Sequence, residues 1–83
     1  MKIHIKYFAS IRESVGTGSE PLQTTAATLG ALRDELIARG GAFAQSLARG
    51  RAVRVALNQV MSGEEAALSE GCEVAFFPPV TGG

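Results

Sequence analysis

The stretch CEVAFFPPVTGG, residues 72–83, contains both the last strand of the chain and the point where the folded part must end. Side chains alternate across a strand, so with Glu73 on the outer side, Ala75 and Phe77 share that side and Val74 and Phe76 point inward. Pro78 and Pro79 have no backbone N–H, so strand pairing stops there and the chain leaves in an extended form. Residues 1–77 are therefore expected to fold as one domain, and 78–83 to form an extended, flexible tail ending in Gly82 and Gly83. Six residues reach up to about 20 Å. Two terminal residues without side chains let a carboxylate enter a channel no wider than bare backbone. A frayed terminus is the plain alternative.

Working back toward the N-terminus, AVRVAL (52–57) alternates with Val53, Val55 and Leu57 inward and Arg54 outward. Asn58 and Gln59 turn it into a short strand around Val60 and Met61. The polar loop 62–71 is anchored by Leu68. KIHIKYF (2–8) places Ile3, Ile5 and Tyr7 on one face and Lys2, His4, Lys6 and Phe8 on the other. EPLQTT (20–25) reads as a further strand, with Pro21 marking an edge position or a strand start. Thr28 caps a helix over 29–39 whose apolar stripe is Leu29, Leu32, Leu36 and Ile37. Arg33, Asp34, Glu35 and Arg39 fall on its other side, and Gly40 and Gly41 end it. Short helical turns are expected at 9–16 and at 42–50, the latter packing through Phe43 and Leu47. One amphipathic helix and one apolar sheet face make a two-layer α+β domain: a mixed four- to five-stranded sheet with one main helix packed across it.

Composition narrows the function. Eight basic and eight acidic side chains balance in 83 residues, which gives no basic face for nucleic acid or anionic membrane. No apolar run approaches the roughly 20 residues that span a bilayer, and MKIHIKYF lacks the apolar block of a signal peptide. The lone Cys72 excludes an internal disulfide and fits a reducing cytoplasm. His4, the only histidine, stands alone on a polar parity, and no partner cysteine or histidine gives Cys72 a metal-ligand spacing. Glu70 and Glu73 disfavour a thiolate at Cys72, which is read as structural. Glu64 and Glu65 are read as solvated surface, and GTGS (16–19) is not followed by the residues of a phosphate loop. The chain thus carries no self-sufficient catalytic constellation. Function must be binding, or chemistry carried by the chain's own end.

The run ALSEGCEVAFFPPVTGG (67–83) closely resembles the terminal pattern A-L-x-x-G-D-E-V-A-F-F-P-P-V-[ST]-G-G of the molybdopterin synthase small-subunit (MoaD) family, which are ubiquitin-like β-grasp sulfur carriers. YFASIRESVG (7–16) is similar to that family's F-F-A-x-x-R-E-x-x-G, and VALNQ (55–59) also fits. The matches fall in order across the chain, and the middle helix matches in pattern only. Cys72 stands where the family usually has aspartate.

The resemblance implies a β-grasp fold with adjacent first and last strands, and a role in molybdenum cofactor biosynthesis as the carrier subunit of a heterotetrameric synthase. An activating enzyme would use ATP to adenylate the carboxylate of Gly83, and sulfur would then displace AMP to leave a thiocarboxylate. That group would donate sulfur to cyclic pyranopterin monophosphate, forming the dithiolene of molybdopterin in the pocket of the large subunit. Val80, Thr81, Pro78 and Pro79 would extend the arm carrying Gly82 and Gly83, with no cofactor bound to the chain itself. Phe8, Met61 and Phe77 would form one apolar patch beside the tail, docking the large subunit and, in turn, the activating enzyme. Isolated exposed apolar side chains are the alternative. Arg12 matches the family's arginine and either pairs with an acidic group of a partner or serves a helix end or surface ion pair. Rival readings are a sulfur carrier for thiamin or cysteine synthesis, a ubiquitin-like modifier joined to lysines, and an interaction module with an inert tail.

Overall fold

The computed structural model describes residues 1–79; Val80, Thr81, Gly82 and Gly83 lie outside the described residues. The elements run β1 (Lys2–Tyr7), α1 (Ala9–Val15), β2 (Ser19–Gln23), α2 (Leu29–Ile37), α3 (Gly41–Leu47), β3 (Arg54–Leu57), β4 (Val60–Met61) and β5 (Glu73–Phe77). The five strands form one sheet in the order β2-β1-β5-β3-β4. β1 and β5 are parallel neighbours, in the register Tyr7 to Phe76, and the other pairs are antiparallel. The last strand therefore enters the centre of the sheet beside the first, as expected. β2 takes an edge, where Pro21 costs no ladder bond on its outer side.

The alternation read from the sequence sets the two faces. Ile3, Ile5, Tyr7, Val55, Val74 and Phe76 form one apolar surface. All three helices cover it, through Ile11 of α1, Leu29, Leu32 and Leu36 of α2, and Leu47 of α3. Leu32 and Leu36 are fully buried, so truncating either to alanine costs about 2–5 kcal/mol. Thr28 caps α2 by accepting from the Ala31 N–H. The next orphan donors of the helix find backbone partners in the 62–71 loop: the Leu29 N–H donates to the Ala66 carbonyl and Gly30 to Glu64. Leu68, 8% exposed, pins that loop to the core as expected.

Three expectations are corrected. Arg33 does not lie on the solvent side of α2; it is 5% exposed. Its guanidinium donates from Nε to the Leu47 carbonyl, from Nη2 to those of Ala48 and Arg51, and from Nη1 to Glu64 Oε2. Burial is tolerable because the charge is paired and its donors are engaged. Glu64 is accordingly more than solvated surface: its side chain stays 38% exposed, yet it bridges Arg33 and Arg49. Hydrogen bonding from Arg49, aided by Arg33, holds its carboxyl below the usual range against the opposing effect of burial. Ala75 is on the outer side of β5 yet buried. It sits mid-sheet in a row with Lys6, Ala56 and Met61, where a short side chain lies below its longer neighbours.

Candidate docking face and tail root

The sheet face opposite the helices is built from the outer parities of four strands. Registers place Lys6, Ala75, Ala56 and Met61 in one row, and Phe77 beside Arg54 in the next. Phe8 follows β1 as the N-cap of α1, with extended backbone and no side-chain cap. Its N–H donates to the Phe76 carbonyl, which holds it against the end of β5. The Phe8 and Phe77 rings meet edge to face with centroids 6.3 Å apart, a favoured aromatic geometry. Phe8 is 45% exposed and Met61 53%. The sequence-derived patch of Phe8, Met61 and Phe77 is therefore one surface of one sheet face, with the buried alanines as its floor. Val60 is also exposed, but it pairs with Leu57 on the opposite parity and does not belong to this face.

Arg54 and the two alanines are the members that the sequence reading left out of the patch. Their signal was the antiparallel register of β3 with β5, which sets Arg54 directly across from Phe77. Lys6, in the neighbouring row of this face, is tied to Glu73 at 3.4 Å. Arg12 is exposed in the last turn of α1, and its backbone N–H donates to the Phe8 carbonyl. Its guanidinium lies over Gly18, where an added Cβ would stand 3.2 Å from Nε. No carboxylate among the described residues forms an ion pair with it.

Pro78 and Pro79 are half-buried at the root of the tail. The β5–β3 pairing ends at Arg54 and Phe77, and beyond it both prolines stand near Ala52 and Val53, with which they line clefts. Two clefts flank this root. One, of about 190 Å³, is lined by Pro78, the α1 serines Ser10 and Ser14, and Arg51. The other, of about 360 Å³, lies between residues 52–55 and 61–64 and includes Pro79. Gly83, Gly82, Thr81 and Val80, the remaining candidate residues, lie outside the described residues.

On the helix side, a compact polar cluster closes one end of the core. The Tyr7 hydroxyl donates to Glu20 Oε2 at 2.8 Å, and Arg39 donates to both Glu20 oxygens. Burial, with the bond to Glu20, pushes the Tyr7 phenol well above its ordinary value. Burial alone would raise Glu20, but the bonds from Arg39 and Tyr7 outweigh it and hold the carboxyl low. Arg39 also lies over the Phe43 ring. These groups satisfy one another and offer no free base. Cys72 is buried in the apolar cluster, a core position rather than a reactive one. Among the described residues no group of three His, Cys, Asp or Glu side chains could hold a metal ion. Among the described residues no helix is long and apolar enough to cross a membrane.

Comparison with known proteins agrees with this geometry. The chain is 40% identical, over 98% of its length and 99% of the relative's, to the molybdopterin synthase sulfur carrier subunit of Haemophilus influenzae. The crystal structure of SAMP1 from Haloferax volcanii superposes with a TM-score of 0.79 at 26% identity, covering all of both chains. A chain in the complex of subunits 1 and 2 of the molybdopterin-converting factor from Helicobacter pylori shares the fold, with a TM-score of 0.70 at 23% identity over all of both chains. The fold is the ubiquitin-like β-grasp. The ThiS family model matches residues 5–83, and the chain belongs to the ThiS family.

Proposed function

We propose that this chain is the sulfur carrier subunit of a molybdopterin synthase, with the carboxylate of Gly83 as the group that carries sulfur. Full-length similarity to a subunit of that name supports the assignment. The observation that carries the physical argument is the junction at Phe77 and Pro78. There β5 ends beside the apolar face of Phe8, Phe77 and Met61, and two prolines turn the chain out of the sheet. A partner that docks on this face would stand next to the origin of the tail.

A free carboxylate resists nucleophilic attack. In the activating enzyme, the Gly83 carboxylate oxygen attacks the α-phosphorus of ATP and pyrophosphate leaves, giving an acyl adenylate. A sulfur nucleophile then attacks the acyl carbon and AMP departs, leaving the thiocarboxylate. In the large subunit the thiocarboxylate sulfur attacks a cyclic pyranopterin monophosphate, water then cleaves the acyl–sulfur bond to release the Gly83 carboxylate and leave sulfur on the pterin, and two such donations form the dithiolene. The carrier contributes no catalytic side chain in this scheme. It contributes tethering, which raises the effective concentration of the sulfur at the reacting centre. The large subunit and the activating enzyme take turns on the same face. The reducing cytoplasm suits both a thiocarboxylate and the single thiol.

The structural likeness to SAMP1, a small archaeal modifier protein by the name given to its close counterpart, favours one second reading: a modifier joined through Gly83 to lysine amines. Incubation with the activating enzyme, ATP and a sulfur source, followed by intact mass measurement, separates the two. A carrier gains the mass difference between sulfur and oxygen. A modifier appears as conjugates of higher mass.

A further inference from the structure

We infer that Arg33, buried in α2 far from the carrier tail in sequence, is a positioning residue that fixes the direction in which Pro78 and Pro79 leave the sheet. The inference rests on the carrier function proposed above. It starts from the one buried cation of the core. The four hydrogen bonds of Arg33 run to two separate segments of chain. Nε and Nη2 hold the carbonyls of Leu47, Ala48 and Arg51, where α3 ends and the chain turns toward β3. Nη1 holds Glu64, at 2.8 Å, in the loop after β4.

Those two segments lead directly into the walls of the cleft at the tail root. Arg51 precedes Ala52 and Val53, which line the clefts on both sides of the root. Glu64 ends the stretch 61–64 that forms the other wall of the larger cleft, with Pro79 included in its lining. Pro78 shares the lining of the smaller cleft with Ala52 and Val53, and Pro79 that of the larger one with the same two residues. Neither proline can donate a ladder hydrogen bond, so β-pairing cannot fix this part of the chain. Its course depends on the shape of the walls, and the buried Arg33 guanidinium reaches both, with Arg49 adding an exposed tie from the first segment to Glu64. A rigid fork suits this task, because it binds several oxygens at fixed angles where an ammonium acts as a point charge. The shared anchor also explains why a full charge is buried in so small a core. A well-packed apolar residue would serve stability alone equally well.

The test is Arg33→Lys in the full chain, which keeps the charge opposite Glu64 and loses the fork on the three carbonyls. It is measured well below the melting temperature of the variant, with near-native circular dichroism as the entry condition. Nuclear Overhauser contacts from the Val53 methyls to the Pro78 ring should weaken or vanish, while those among Tyr7, Phe43 and Phe76 in the core persist. Affinity for the large subunit should fall by much less than the transfer rate, because Phe8 and Phe77 stand outside the walls that Arg33 holds, although Met61 and Arg54 line the larger cleft. The single-turnover rate of sulfur transfer should fall roughly tenfold or more, as expected when a reacting group is misdirected by about an ångström. A merely structural role would move stability without this split between binding and rate. A folded Arg33→Lys chain with the wild-type transfer rate, or with its Val53–Pro78 contacts intact, overturns the inference while leaving the carrier function standing. A wild-type chain that takes up no sulfur overturns both. Should Arg33→Lys fail to fold, Glu64→Gln weakens the ties of the 61–64 wall to Arg33 and Arg49; a severalfold slower transfer supports the inference and an unchanged rate overturns it.

Discussion

Phe8 and Phe77 lie 69 positions apart in sequence, yet their rings meet edge to face with centroids 6.3 Å apart and planes at 86°. The contact joins the end of the first strand to the end of the last, on the face that no helix covers. Phe77→Ala removes the half-buried member and leaves Phe8 without its neighbour. Central aromatics at interfaces commonly contribute 2 kcal/mol or more, so affinity for the large subunit should fall by about thirtyfold. The domain should remain folded, with only a modest loss of melting temperature. Isothermal titration checks the first statement and circular dichroism the second; wild-type affinity would remove the docking face from the account.

Tyr7 is the chain's only tyrosine, so its ionisation can be followed without interference. Its folded value is raised, by burial first and by the bond to Glu20 second. The stability linked to this proton is fully present below the unfolded value, near pH 10, and is lost as pH rises through the higher folded one. Ultraviolet absorbance of the native chain should show no phenolate where the denatured chain is half ionised. A native titration centred near pH 10 would show that the hydroxyl is not sequestered.

Glu20 reports on the same cluster from the acid side. Its folded value lies below the ordinary 4.5, so its contribution is present above that pH and is lost as pH falls through the folded value. Glu64 acts with the same sign. Melting temperature should therefore decline on acidification below about pH 4.5, and Glu20→Gln should make that decline shallower. An identical slope in wild type and variant would mean that the Arg39–Glu20 pair is not formed in solution.

Asn58 and Gln59 both have positive φ, +50° and +69°, in the two-residue turn between β3 and β4. Such a turn favours Asn-Gly, and Asn58 is already in place. It earns its position twice, since its side chain also accepts from the Glu73 N–H at 3.0 Å. Gln59→Gly should relieve the left-handed strain and stabilise the domain by about 0.5–1 kcal/mol, or a few degrees of melting temperature. A lower melting temperature would show that the turn tolerates glutamine without strain.

The order of elements and the two sheet faces could be read from periodicity because β1, β3 and β5 each have one consistently apolar side. The shared outer placement of Phe8 and Phe77 was readable for a related reason: both are large apolar residues on sides otherwise marked by Lys6 and Glu73. Arg33 was misread because an amphipathic pattern assigns charge to solvent. Nothing local to α2 reveals that three carbonyls at 47, 48 and 51 will converge on it. Ala75 was misplaced because parity states the side and not the height of the neighbours. Arg54 entered the docking face only through strand register, which pairs residues 23 positions apart.

The central claim is that the tail end carries sulfur, and mass spectrometry of the intact chain tests it most directly. After incubation with the activating enzyme, ATP and a sulfur source, the C-terminal peptide should gain the mass difference between sulfur and oxygen at Gly83. The same chain lacking Gly83 should gain nothing while melting at the wild-type temperature. An unmodified C-terminal peptide under conditions that consume ATP, or equal sulfur uptake by the shortened chain, would contradict the account.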